Sequence, residues 1–118
     1  MYHSAYSEIA ADDQAEARRR EHRALEVVLG RLNAAQAAFP NEKLLCEALD
    51  AMESLWAIFM KDVSGPENAL PLRVRENVLA IGRWIFERSA EQRNGRADNL
   101  ALLIEMNATI RDGLKTRS

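Results

Sequence analysis

The sequence is most informative first in what it has little of. Its 118 residues hold one cysteine, Cys46, which excludes an internal disulfide and a cysteine-based zinc cluster. Three prolines and five glycines are too few for a loop-rich β protein. Two histidines, His3 and His22, stand far apart, and neither belongs to an HExxH pattern, so no metal site is expected. No GxGxxG or GxxxxGK[ST] is present, which leaves no phosphate cradle and no expected cofactor. Basic residues do not exceed acidic ones: the net charge is −2, so general nucleic-acid binding is not expected. No apolar run approaches the roughly 20 residues needed to span a bilayer. The first residues, MYHSAYSEIAADDQ, lack a basic start followed by an apolar block. The expectation is a cytoplasmic, soluble, non-enzymatic protein.

What is present is helical periodicity. Hydrophobic residues make up 47% of the chain, enough to bury a core in a single domain spanning 1–118. The expected fold is all-α: a small bundle of four main helices plus a short N-terminal helix. The short helix covers Tyr2–Ala11, with Asp12 and Asp13 as cap-like residues before the next. The first main helix runs from about Asp13 to Ala38 and is apolar at Leu25, Val28, Leu29, Leu32, Ala35 and Phe39, with Pro40 ending it. Its arginines, Arg18, Arg19, Arg20 and Arg23, are interleaved with Glu16, Glu21 and Glu26. That reads as a solvated face of ion pairs; the competing reading is an RNA contact.

The centre of the chain is Leu55 to Phe86, which holds both tryptophans, two of three phenylalanines and two of three prolines. It reads as a helical hairpin. The helix opened by Asn41 carries the seam Leu45, Leu49, Met52, Trp56, Phe59 and Val63, at alternating steps of four and three. Cys46 lies beside that seam and reads as a small packing residue. Ser64, Gly65 and Pro66 stop the helix, and the next begins near Pro71. Its buried face is Val74, Val78, Ile81 and Ile85, widened by Leu72, Leu79, Trp84 or Phe86; Asn94-Gly95 ends it. Gly82, inside this helix, marks a close helix crossing or the approach of a ligand. Residues 41–62 carry a net −3 and residues 70–96 a net +3, so the two helices dock without repulsion. Asp62 opposes the dipole at its helix end, and Arg73 or Arg75 is the expected counter-charge.

The last helix, capped by Asp98, runs to about Leu114. LALLIEM is apolar over most of its circumference, which implies burial on two sides or a surface for a partner. Asn107 is either a satisfied core amide or a partner-facing hydrogen-bonder.

Taken together, Leu55-Trp56-x-x-Phe59-x-x-Asp62, Asn68-x-Leu70-Pro71-x-x-Val74-Arg75, Ile81-x-x-Trp84 and Asn107-x-x-Ile110-x-x-Gly113-Leu114 resemble the FlaF family. These are flagellar biosynthesis regulators of alphaproteobacteria. Ala5-Tyr6 fits the family's usual start, Val74 stands where leucine is commoner, and the arginine-rich helix is less typical. The resemblance implies a flagellin-binding export chaperone and positive regulator of flagellin synthesis, acting beside FlbT, which restrains flagellin mRNA translation. Flagellin's terminal helices are amphipathic, so a groove for one is expected between the central hairpin and the last helix. Its expected residues are Trp84, Phe86, Leu100, Leu103, Ile104, Asn107 and Ile110. The expected structural core is Leu45, Leu49, Met52, Trp56, Phe59, Val78, Ile81 and Ile85. Two readings compete: an RNA-binding post-transcriptional regulator of flagellin mRNA, and a structural module dimerising through Leu100 to Met106.

Overall fold

The computed structural model describes the backbone of residues 2–95 and 99–116, and side chains from Ala15 onward as far as Leu114. Four helices and no strands make up the described chain: α1 (Tyr2–Ala37), α2 (Glu42–Ser64), α3 (Leu72–Arg93) and α4 (Ala101–Thr116). The expected all-α bundle is what forms, with one correction. The short helix expected over Tyr2–Ala11 is not a separate element, because α1 runs unbroken through Asp12 and Asp13. Neither glycine nor proline occurs between Tyr2 and Leu29, so nothing there breaks the backbone ladder.

At 1.5 Å per residue α1 is about 54 Å long and α2 about 34 Å, which accounts for the 59 Å long axis of the molecule. α1 packs against α2 and α4, and α2 carries α3 on its other side. Leu25, Val28, Leu29, Leu32 and Ala35 of α1 are all buried, as their spacing predicts. Of these, Val28, Leu32 and Ala35 join Leu49, Met52 and Trp56 of α2, Ile85 of α3, and Leu100 and Leu103 of α4 in one core. Leu45, Phe59, Val78 and Ile81 pack against its edge. All eight expected core residues therefore belong to it or border it.

The helix ends follow their local chemistry. Asn41 caps α2 by accepting from the amide of Leu44 at 3.0 Å. Gly95 adopts φ +69° just beyond α3, a conformation that strains any L side chain. The N-terminus of α4 is capped from two directions. Asn99 accepts from the amide of Ala101, and Gln36 of α1 reaches across to accept from the amide of Leu100 at 2.7 Å. Gln92 of α3 donates to the carbonyl of Asn99 at 2.6 Å. The expected cap, Asp98, lies outside the described residues.

α2 and α3 are tied by the charges that their sequences separate. Arg93 bonds Asp50 at 2.7 Å and Glu53 at 3.1 Å, and Ser89 donates to Glu53. Gly82 is buried because Met60 of α2 fills the space of the missing side chain. The close-crossing reading of Gly82 is the one the packing supports. Leu72 and Phe86 do not widen the buried face of α3; both are exposed, Leu72 at 62%, because α2 covers only one side of α3. Cys46 is likewise exposed, not the buried packing residue expected beside the seam.

Two glycines in helices of the same fold separate propensity from packing. A Cβ at Gly30 meets nothing within 4 Å, so Gly30→Ala should stabilise the protein by about 1 kcal/mol. A Cβ at Gly82 would fall on Sδ and Cγ of Met60, so Gly82→Ala should forfeit that gain. Urea denaturation of the two variants measures the difference.

Candidate functional site

The α2–α3 turn is built by one side chain. Asn68 donates to the carbonyl of Asp62 at 3.1 Å and accepts from the amide of Leu70 at 3.0 Å. Its own amide donates to the carbonyl of Gly65. These bonds hold Glu67–Leu70 over the end of the hairpin, and Pro71 then launches α3 away from it.

Beneath this turn lies a groove of about 590 Å³, within the range of small-ligand and side-chain binding sites. Trp56, Phe59 and Val63 of α2 and Val74, Val78 and Ile81 of α3 form two sides. Ala17, Arg18 and Glu21 of α1 and Ile110 and Leu114 of α4 form the others. Trp56 and Phe59 meet edge to face, with centroids 5.2 Å apart.

The floor is fixed by a buried hydrogen bond. The indole N–H of Trp56 donates to Oδ1 of Asn107 at 2.8 Å. The Asn107 amide donates to the carbonyl of Leu103 at 2.8 Å and approaches Sδ of Met52 at 3.4 Å. Asn107 is therefore the satisfied core amide of the two readings.

The seven residues expected to face a partner separate accordingly. Ile110 lines the groove. Leu100, Leu103 and Asn107 are buried in the core, a correction that follows from α4 docking its apolar stripe on α1. Ile104 is half-buried against that core. Trp84 is half-buried beneath the guanidinium of Arg88, 5.3 Å from its ring centroid, and Phe86 is exposed on α3; neither lines the groove. What spacing alone missed is that Trp56, Phe59, Val78 and Ile81 serve as core and groove wall at once. Val63, Val74, Leu70 and Leu114 also line it. For Leu70, Val74 and Leu114 the signal is the family pattern; Val63 belongs to the apolar seam of α2. Nine of the residues carrying the FlaF likeness line this one groove: Trp56, Phe59, Asp62, Asn68, Leu70, Val74, Ile81, Ile110 and Leu114.

The electrostatics of the rim also depart from expectation. Among the described residues Asp62 makes no salt bridge, with Arg73, Arg75 or any other cation. Its neighbour is Glu21. Burial raises the Glu21 carboxyl above its ordinary pKa, and the Asp62 charge raises it further. Arg19 and Arg23 are engaged by Glu16, at 2.8 and 3.6 Å, and Arg19 holds the Glu16 carboxyl below its usual range, first by hydrogen bonding and then by charge. Two of the four arginines thus pair with an acid of their own helix, as the ion-pair reading predicts. Arg18 instead lines the groove, with its Nε buried and unpartnered.

No group of three or more histidine, cysteine, aspartate or glutamate residues able to hold a metal occurs among the described residues. No helix among them is long and apolar enough to cross a membrane. The site is an apolar groove at one end of a four-helix bundle. The family model for flagellar protein FlaF matches residues 2–114, nearly the whole chain, and the chain belongs to that family. No curated protein and no solved structure matches it.

Two predictions follow from this geometry. Asn107→Leu leaves the Trp56 indole N–H buried and unpaired, and should cost roughly 1–3 kcal/mol. In a cycle with Trp56→Phe, the double variant should lose less than the sum, by about 0.5–3 kcal/mol, in chemical denaturation. The Glu21 carboxyl has a raised pKa in the folded state, so its ionisation works against folding. That opposition is absent below the unfolded pKa and complete once pH exceeds the folded one. Glu21→Gln should therefore raise the melting temperature at pH 7, and the gain should vanish at about pH 4.

Proposed function

We propose that this chain binds flagellin as an export chaperone in the cytoplasm and promotes flagellin synthesis, with FlbT as its regulatory counterpart. One observation supports the reading: nine of the residues that carry the FlaF resemblance line a single apolar groove. A family pattern serving only stability would spread through the core. Here it includes an exposed leucine, Leu70, and a turn asparagine whose bonds shape the rim.

Helix-in-groove recognition supplies the mechanism. Flagellin's terminal helices present apolar stripes that polymerise if left uncovered. The groove walls run from Trp56 to Val63 and from Val74 to Ile81, about 10 Å or two helical turns each. They suit anchors at i, i+3 or i+4, and i+7. Covering those anchors keeps a subunit unpolymerised until export.

Co-purification of flagellin with the tagged chain tests this. Val74→Glu and Leu70→Glu, both on the groove wall, should reduce the recovered flagellin at least about tenfold with unchanged circular dichroism. Leu102→Glu, on an exposed position outside the groove, should leave recovery intact. Equal recovery in all three variants would remove the groove from the reading.

A further inference from the structure

We infer that the groove selects an amphipathic helical segment whose apolar stripe is flanked by a lysine or arginine, and that this cation seats between Glu21 and Asp62. The inference rests on the groove reading above and adds the charge rule of its occupant.

The lining carries one cation, Arg18, against three carboxylates, Glu21, Asp62 and Glu67, a net of −2. None of the three carboxylates has a salt-bridge partner among the described residues. Other acids that face neighbouring helices are paired: Asp50 and Glu53 hold Arg93, and Glu26 holds Arg111. At the groove, Glu21 feels the charges of Arg20 and Arg18 only through space, without an ion pair.

Of the two carboxylates nearest each other, Glu21 is the half-buried one and Asp62 is exposed. Asp62 lies in the last turn of α2, where the helix dipole is negative, with Lys61 exposed beside it. Glu21, on α1, is half-buried and lines the same groove, near enough for the Asp62 charge to raise its pKa while the charges of Arg20 and Arg18 lower it. A partner's ammonium or guanidinium would relieve both and would be partly shielded from water by the apolar walls. Arg18 sits one turn from Glu21 with an unpaired Nε, so an acceptor on the partner, one turn from its cation, completes the match.

A second copy of this chain docked groove to groove is the poorer occupant. Such a contact is isologous and would set the acidic rims against each other.

The test uses the full chain and labelled synthetic helical peptides two to four turns long. Each carries a leucine stripe flanked by lysine, glutamine or glutamate, and binding is read by fluorescence anisotropy at low salt. The lysine peptide should bind at least about tenfold tighter than the glutamate peptide, with glutamine between. Added salt should narrow the gap. Asp62→Asn with Glu21→Gln should nearly abolish it without weakening the glutamine peptide. Equal or tighter binding of the glutamate peptide overturns the charge rule, as does discrimination that survives the double variant. If sedimentation shows a dimer that Val74→Glu converts to monomer, a second copy is the occupant and the assignment falls. Flagellin recovery separates the two levels. Loss of flagellin in Val74→Glu with no charge preference among peptides removes this inference alone. Unchanged flagellin recovery in Val74→Glu and Leu70→Glu removes the groove reading with it.

Discussion

The structure depends on one buried polar contact, the hydrogen bond from the Trp56 indole to Asn107. A tryptophan buried to 1% exposure must satisfy its N–H or pay for leaving it dry. The acceptor comes from α4, so the bond fixes α4 along α2 at the level where the groove begins. Asn107 spends its remaining donors on Leu103 and Met52, which leaves it no freedom to rotate toward a ligand. The groove floor is thus rigid because its polar atoms are all committed beneath it. An apolar residue at 107 would fill space but would not set the register of the two helices.

Above that floor, α3 is clamped differently at its two ends. At one end of the hairpin Arg93 bridges Asp50 and Glu53, and Gln92 reaches the start of α4. At the other end Asn68 bonds within the turn, and Phe59, Val78 and Ile81 pack against the core. The Glu53 contact holds the Arg93 guanidinium charged, with Asp50 adding to it. Near the turn, Val74, Val78 and Ile81 of α3 line the groove. Met60 in the notch at Gly82 marks where α3 comes closest to α2. The groove is therefore a product of the same contacts that make the hairpin.

The four main helices, the boundaries of α2 and α3 and the seam Leu45 to Val63 were legible from periodicity, because each apolar stripe has one period and a clear stop signal. Gly95 and Asn41 acted as their local chemistry dictates. Two things were not legible. The continuity of α1 could not be read from Asp12-Asp13, since acids suit both a cap and a helix surface, and only the absence of glycine and proline argued against a break. The residues lining the groove between hairpin and last helix could not be read either, Ile110 apart. The most apolar helix, α4, looked like the one with surface to spare, yet it uses Leu100 and Leu103 to close the core over α1. Its length of 16 residues is the reason: a short helix must bury most of its stripe to dock at all. Surplus apolar surface fell instead on α2 and α3, which are longer than the contact that joins them. The family pattern pointed there, and hydropathy did not.

The unpaired acids bear on how such a groove stays available. An apolar trough with a neutral rim invites any exposed hydrophobic stripe, including that of a second copy. Glu21, Asp62 and Glu67 around this one repel other acidic chains and make self-association of the trough unfavourable, at a modest cost in folding stability. Part of that cost shows in the raised Glu21 pKa, which is the free energy of keeping a carboxylate half-buried beside another. A cation brought by the partner would return it on binding. On this view the frustration at the mouth of the groove and its selectivity are one property: charges left unsatisfied in the free protein discriminate because the right occupant satisfies them.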